Sequence, residues 1–106
     1  MEKKLIILQD LKDHLSHYFG KELINVILFG SQAKNMEHAE SDYDILIILK
    51  NKNSWKTKDM VIDLCYDIDL KHDVIIDPHI LAEDEINSLR GKQPIFINAL
   101  QNGIRA

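Results

Sequence analysis

Hydrophobic residues recur at helical spacing in two long segments of the chain, 3–19 and 55–70. Residues three or four positions apart lie on the same face of a helix, so this spacing predicts two amphipathic helices. Gly20 follows the first segment, and glycine is common directly after a helix. The apolar positions are Leu5, Leu8, Leu11 and Leu15 in the first segment and Val61, Leu64, Cys65 and Ile68 in the second.

Three shorter segments are apolar enough to be strands. Residues 23–29 are almost continuously apolar, and residues 42–49 begin with two carboxylates and continue as an apolar run. Continuous runs of this length are typical of strands that are covered on both faces. A third, shorter strand is predicted at 72–77, where Pro78 ends it and disfavours helical geometry in the residue before it.

The remaining segments are polar or short. Residues 32–41 are predicted to form a short helix and a loop, and residues 80–89 a short acidic helix that ends at Gly91. Pro94 is well placed to open a last helix, which closes near Gly103. The order α-β-α-β-α-β-α-α predicts an α+β fold in which a small sheet is flanked by helices.

Length and composition predict one domain, 1–106, with enough apolar residues for a core. Thirteen Lys and Arg against 17 Asp and Glu give a formal net charge of −4. General binding to nucleic acid needs a basic face, so we do not expect it here. The single cysteine, Cys65, cannot form an intramolecular disulfide, and its place in the helical pattern predicts a small buried hydrophobic residue.

The cellular location is expected to be the cytoplasm. The apolar run that follows Lys4 has only four residues, which is too short for a signal peptide. No stretch approaches the roughly 20 apolar residues of a membrane span, so we expect no contact with a membrane.

Two carboxylates, Asp42 and Asp44, open one of the most apolar strands of the chain. Residues i and i+2 of a strand point to the same side, roughly 6.6–7 Å apart along the chain. Isolated charges are costly to remove from water, so the pair needs a positive partner. A hard divalent cation such as Mg²⁺ is the natural candidate for oxygen ligands of this kind.

Gly30 and Ser31 end the strand that precedes this pair. Glycine lets the backbone turn sharply and approach a ligand closely. If a helix begins at Ser31, its free N–H groups and its partial positive charge favour a phosphate. The two features together outline a site for a nucleotide and a metal ion.

Gly30-Ser31, ten residues and then Asp42-x-Asp44 resembles the signature of the polymerase-beta-like nucleotidyltransferases, and the resemblance extends over about residues 20–105. It implies the mixed sheet and helices of that fold. The family places a third carboxylate near the start of a later strand, and Asp73 matches that pattern.

The resemblance also implies the chemistry. Asp42 and Asp44 would hold two Mg²⁺ ions, Asp73 would complete one site and help to activate the acceptor hydroxyl, and Gly30 and Ser31 would hold phosphates of ATP. The product would be AMP attached to an acceptor hydroxyl. Small members resemble the antitoxin half of a toxin–antitoxin pair whose other half is a HEPN-domain ribonuclease, with a toxin tyrosine as acceptor.

Two positions depart from the family pattern. Many minimal members read Gly-Ser-Arg-Ala-Arg-Gly, and here Gln32 and Asn35 stand in place of the first arginine and the last glycine, while Lys34 keeps one positive charge near the triphosphate. These departures favour a second hypothesis, a catalytically silent module that neutralises a helical partner by contact. A third is nucleotidyl transfer to a small molecule. The pattern leaves open whether the protein forms homo- or hetero-oligomers.

Other acidic and aromatic residues offer alternatives. Asp77 competes with Asp73 for the role of third carboxylate, although we prefer Asp73 because Asp77 precedes a proline. Asp67 and Asp69 repeat the Asp-x-Asp pattern but lie on a helix, where they diverge by about 200°. The remaining candidates are interpreted as structural or partner-contact residues: Asp10, His14 and His17 as a solvated helix face, and Trp55 and Tyr66 as core or contact residues.

Overall fold

The structure is a computed structural model that describes residues 2–33, 42–51, 55–88 and 92–106. Its helices are α1 (Lys3–Phe19), α2 (Gly30–Ala33), α3 (Trp55–His72) and α4 (Pro94–Asn102). Its strands are β1 (Leu23–Phe29), β2 (Tyr43–Leu49), β3 (Ile76–Ala82) and β4 (Ile104–Arg105). Short 3₁₀ turns cover Gly20–Glu22 and Glu83–Glu85.

The four strands form one mixed sheet in the order β3-β2-β1-β4. Strand β1 is antiparallel to both β2 and β4, and β2 is parallel to β3. The parallel pair needs a crossover, which α3 supplies. The α+β class with a small mixed sheet and flanking helices is therefore confirmed.

The sheet has a hydrophobic core on each face because its side chains alternate. Helices α1 and α3 cover one face, which carries Val26, Leu28, Ile45, Ile47 and Ile80. Helix α4 packs against the other through Phe96 and Ala99, which meet Ile27, Phe29, Leu46, Ile48 and Leu81. Cys65 is only 2% exposed within the first core, so the prediction of a buried cysteine is confirmed.

The predicted strand at 72–77 was wrong in its position. Helix α3 continues to His72, Asp73 follows with a left-handed φ of 54°, and the strand occupies Ile76–Ala82. Pro78 lies inside this strand, which is possible because β3 is at the edge of the sheet and proline is tolerated there. The acidic helix at 80–89 was also wrong, since Ile80 to Ala82 complete β3 and a 3₁₀ turn follows.

Candidate active site

Gly30 directly follows β1 and lies against the side chain of Asp44 on β2. Phe29, the residue before Gly30, is the register partner of Asp44. A Cβ atom on Gly30 would lie 2.5 Å from Oδ2 of Asp44, and Gly30 has a φ of 76°. The backbone conformation therefore favours glycine, and a Cβ at this position would also displace the Asp44 carboxylate. The predicted sharp turn at Gly30 is present, whereas its close approach to a ligand stays a prediction.

Asp44, Asp77 and His79 come together on the face of the sheet that α4 covers. Asp77 is the register partner of Asp44 across the parallel ladder, and His79 follows two residues later on the same side of β3. One potential ligand atom from each of the three side chains lies within 4.8 Å of the others. The Nε2 atom of His79 is 3.6 Å from Oδ1 of Asp44 and 3.4 Å from Oδ2 of Asp77.

Burial raises the pKa of Asp44, and the nearby charges of Asp77 and Asp42 raise it further, whereas His79 opposes the rise. The carboxylate side chain is about a third exposed, so it is partly removed from water. A pKa raised in this way means that the ionised group lacks sufficient positive charge around it. A divalent cation would supply that charge.

Asp42 lies just before β2 and is exposed. Its charge raises the pKa of both Asp44 and Asp69, so it is close to both carboxylates. It does not join Asp44, Asp77 and His79 in the group of close ligand atoms found among the described residues. The structure therefore places Asp42 beside the group rather than in it.

Asp73 is not brought to Asp44, and the alternative third carboxylate, Asp77, is. The left-handed conformation of Asp73 follows the last residue of α3, in the turn before β3. The sequence pattern favoured Asp73 over Asp77 because the predicted strand ended at Pro78. A strand continued through Pro78 would have placed Asp77 and His79 at alternate positions on one face, and that spacing was the signal for His79.

The phosphate-binding residues are only partly described. The backbone of Ser31 belongs to α2 with Gly30, whereas Lys34 and Asn35 lie outside the described residues. Gln32 is 3% exposed, and its backbone carbonyl accepts a hydrogen bond of 3.3 Å from Nζ of the buried Lys4. The side chain that replaces the family's arginine is thus packed inside the protein, where it is not exposed for a phosphate.

The polar residues of α1 and α3 join the two helices to each other. His14 pairs with Asp67 at 2.8 Å, and Asp10 pairs with His72 at 2.7 Å and with Lys71 at 3.0 Å. The hydrogen bond from His72 is the main cause that lowers the pKa of Asp10. Asp10 and His14 therefore do more than face solvent, and their contacts are interhelical.

The second Asp-x-Asp pair also has structural roles. Asp67 pairs with His14, and Oδ1 of Asp69 accepts a hydrogen bond of 2.9 Å from the backbone N–H of Ile76 at the start of β3. The two residues therefore bind different elements, as their divergence on a helix predicts.

A groove of about 530 Å³ runs along the free edge of β3. Its lining includes Asp77 and His79 from the site, Ile62 and Lys58 from α3, and Phe96 from α4. The groove therefore connects Asp77 and His79 to the surface of α3 at Lys58 and Ile62.

Asp44 and Asp77 fit a divalent cation. Their oxygens are the ligand type that Mg²⁺ prefers, and the raised pKa of Asp44 shows a need for positive charge. The residues present are therefore compatible with a metal site.

No helix in the described part of the chain is long and apolar enough to cross a membrane.

Sequence comparison finds one family and two named relatives. The profile of the family described as "Polymerase beta, Nucleotidyltransferase" matches residues 9–102. Two proteins of Methanocaldococcus jannaschii, MJ0141 and MJ1305, both carry the name "Putative protein adenylyltransferase". MJ0141 is 36% identical over 68% of this chain and 73% of its own length. MJ1305 is 31% identical over 94% of this chain and 70% of its own length.

Structure comparison finds the same fold in crystal structures of toxin–antitoxin proteins. A toxin–antitoxin with AMP-PNP matches with a TM-score of 0.60 and 17% identity, over 92% of this chain and 70% of that one. A mutant of the toxin–antitoxin MntA-HpeT matches with a TM-score of 0.62 and 16% identity, over 99% of this chain and 72% of that one.

Proposed function

Because the chain belongs to the polymerase beta nucleotidyltransferase family, we propose that it transfers AMP from ATP to a hydroxyl group of a protein partner. The family assignment itself confirms the prediction of a nucleotidyltransferase made from Gly30-Ser31 and Asp42-x-Asp44. The observation that carries the proposal is the meeting of Asp44 and Asp77 directly beside the Gly30 turn.

The chain's residues have distinct roles in this reaction. Asp44 and Asp77, with Asp42 beside them, would hold two Mg²⁺ ions, and Asp77 would have the role that the sequence assigned to Asp73. Bound Mg²⁺ would stabilise the attacking oxygen and the leaving pyrophosphate. The turn at Gly30 and Ser31 would hold the phosphates of ATP through backbone N–H groups, which the first turn of any helix leaves unpaired within the helix. Lys34 would add a positive charge.

The reaction is a substitution at the α-phosphorus of ATP. The acceptor oxygen forms a bond to this phosphorus, the bond from the phosphorus to the bridging oxygen breaks, and pyrophosphate leaves. The proton of the acceptor hydroxyl goes to a carboxylate of the site, for which Asp77 is well placed because it is more exposed than Asp44.

An exposed apolar stripe on α3 supports a protein as the acceptor. Trp55, Ile62, Tyr66 and Leu70 follow one another at spacings of seven, four and four residues, so they lie on one side of the helix. Their exposed fractions range from 44% to 70%. Exposed apolar residues arranged in a continuous patch mark interaction sites. The groove along β3 joins this α3 stripe to Asp77.

Charge suggests the kind of partner. Two exposed carboxylates, Asp59 and Asp63, accompany the α3 stripe, and Asp67, which pairs with His14, continues the row four residues later. Such a surface suits an amphipathic helix whose apolar face is bordered by Lys or Arg. A helical toxin of the HEPN type, modified on a tyrosine hydroxyl, meets this description. The toxin–antitoxin crystal structures that share the fold also favour it.

The test uses two labelled forms of ATP. The protein is incubated with Mg²⁺, the product of the neighbouring gene, and ATP labelled at either the α- or the γ-phosphate. We expect stable labelling of the neighbour from α-labelled ATP only, on a tyrosine located by mass spectrometry. Label from γ-labelled ATP would indicate phosphoryl transfer and contradict the proposal.

Two further arms separate the rival hypotheses. If the Asp44→Asn variant inhibits the neighbour as well as the parent does, without label, the protein is a silent binding module. An RNA 3′ end and an aminoglycoside are offered as alternative acceptors. Efficient labelling of either one without a protein partner would exclude the antitoxin function.

A further inference from the structure

The Nε2 atom of His79 is buried and has no hydrogen-bond partner among the described residues. Among the described residues it is the one buried side-chain nitrogen or oxygen atom that has no hydrogen-bond partner. Buried polar atoms are almost always paired, so this nitrogen calls for an explanation. The residue itself is partly exposed, at 22% of its side chain, on the side of the groove.

The imidazole ring is fixed in place by its neighbours. The ring of Phe29 is 5.3 Å away, centroid to centroid, at an interplanar angle of 57°. The position of His79 on β3, two residues after Asp77, directs the side chain to the face that carries both carboxylates. The nitrogen is therefore held between Asp44 and Asp77 by packing.

An ion pair does not account for this arrangement. Charge-assisted N–H···O bonds are about 2.7–2.9 Å long, whereas Nε2 is 3.6 Å from Asp44 and 3.4 Å from Asp77. The two other histidines paired with aspartate show what a direct bond looks like, at 2.8 Å for His14 and 2.7 Å for His72. The carboxylates and His79 are therefore spaced too widely for a short charge-assisted hydrogen bond.

The spacing does suit a shared cation. Two ligand atoms that each lie about 2.1 Å from one ion, at a tetrahedral angle, are about 3.4 Å apart. This value agrees with the separations of Nε2 from the two carboxylate oxygens. We propose that His79 is a metal ligand that, with Asp44 and Asp77, gives one cation position a mixed nitrogen and oxygen ligand set.

The consequence is a preference among metals. Mg²⁺ is a hard ion that favours oxygen ligands, whereas imidazole nitrogen suits transition metals. The position that includes His79 therefore binds Zn²⁺ or Co²⁺ much more tightly than Mg²⁺, and it binds Mn²⁺, the weakest of the divalent transition metals, more tightly than Mg²⁺ by a smaller margin. A site built from carboxylates alone would discriminate less. This inference concerns the same site as the proposed function, but it makes no assumption about the acceptor.

The direct test is spectroscopic. Mn²⁺ is bound to the protein in the absence of nucleotide, and pulsed electron paramagnetic resonance measures nitrogen coupled to the ion. We expect a directly coordinated nitrogen, whose coupling changes when the five histidines are labelled with ¹⁵N. Bound Mn²⁺ with oxygen ligands only would overturn the proposal, and this measurement needs no variant.

Variants then assign the nitrogen to His79. In His79→Gln we expect loss of the nitrogen signal and a Kd for Mn²⁺ raised about tenfold or more, with a smaller change in the Kd for Mg²⁺. The matched control is His14→Gln, which removes a histidine remote from the site and should change neither Kd. Circular dichroism checks that both variants are folded. If His79→Gln is not folded, His79→Asn replaces it in the same measurements.

The outcomes separate this inference from the proposed function. A nitrogen signal that persists in both His79 variants assigns the ligand elsewhere and refutes the role of His79. A confirmed nitrogen ligand in a protein that labels no partner would refute the proposed transfer and leave the metal site established. Bound Mn²⁺ with oxygen ligands only, in a protein that labels its neighbour, would refute the role of His79 as a ligand and leave the proposed transfer established.

Discussion

Asp44 and Asp77 are register partners across the parallel ladder of β2 and β3. Because side chains of paired residues point to the same face, this register determines which later carboxylate joins Asp44. Asp73, in the turn after α3, lies outside the ladder.

We therefore expect Asp77→Ala to lower the rate of nucleotidyl transfer by about 10²–10⁴-fold, since it removes a metal ligand and the candidate base. Asp73→Ala should change the rate by less than about threefold, because the residue lies in the turn before β3 and outside the group of close ligand atoms found among the described residues. Single-turnover assays with the labelled partner measure both. A larger loss for Asp73→Ala would restore the assignment made from the sequence.

The contrast between these two residues shows where sequence reasoning succeeded and where it did not. The motif at Gly30-Ser31 and Asp42-x-Asp44 identified the family because it is local and lies between two strongly apolar strands. The third carboxylate depended on the position of β3. A proline inside a strand depends on its place in the sheet, and sheet order is a non-local property that one sequence does not display.

Other features could not be predicted from the sequence because they also depend on non-local contacts. The two-residue strand β4 is too short to have a pattern of its own, and it forms because α4 returns the chain to the edge of β1. The pairs from α1 to α3, such as Asp10 with His72, connect positions 62 residues apart. The amphipathic spacing predicted both helices but not which of their polar residues would meet.

Gly30→Ala should destabilise the protein more than the same change at Gly20. Both glycines have positive φ, so alanine is strained at either position, at a cost of about 1–3 kcal/mol. Only at Gly30 does the new Cβ meet an obstacle, Oδ2 of Asp44, while at Gly20 nothing lies within 4 Å. Displacing this oxygen adds a smaller cost at Gly30, because it is the end of a side chain that is about a third exposed. Urea unfolding measures the free energy of each variant.

A second background isolates the contact with Asp44. Asp44→Ala removes the obstructing oxygen and leaves its own Cβ at 3.4 Å from the new atom. In that background we expect Gly30→Ala and Gly20→Ala to cost nearly the same. An excess cost at Gly30 that survives the removal of Asp44 would mean that the clash is not its source.

Divalent metal should stabilise the parent protein and not the Asp42→Asn/Asp44→Asn variant. In the metal-free protein, burial and neighbouring carboxylates raise the pKa of Asp44, so a cation relieves an unfavourable charge. A ligand at one hundred times its Kd adds about 2.7 kcal/mol, which corresponds to about 10–20 °C in Tm for a domain of this size. Thermal unfolding in Mg²⁺ or EDTA tests this. The variant should be folded and unaffected by Mg²⁺, and equal Mg²⁺ shifts in both proteins would place the metal elsewhere.

Cys65 should resist alkylation in the native protein. Burial raises the pKa of its thiol to about 12, with a further contribution from the charge of Asp69, and the side chain is 2% exposed. At pH 8 the reactive thiolate is then only about 10⁻⁴ of the total. Mass spectrometry after treatment with iodoacetamide should show little modification, against complete modification in guanidinium chloride. Rapid native labelling would indicate that α3 opens readily.

The α3 stripe should be needed for transfer to a protein partner and for no other step. Tyr66 is 57% exposed at the middle of this stripe, and aromatic residues at the centre of an interface often contribute about 2 kcal/mol or more to binding. We therefore expect Tyr66→Ala to raise the Kd for the partner about 30-fold, with unchanged Tm and ATP affinity.

Tyr18→Ala is the matched control, because Tyr18 has a similar exposure of 55% but lies on α1. Calorimetry gives both affinities, and the transfer assay should show the loss as a higher KM for the partner at an unchanged kcat. If Tyr18→Ala weakens binding and Tyr66→Ala does not, the partner docks on α1 and the groove along β3 is not its route to Asp77.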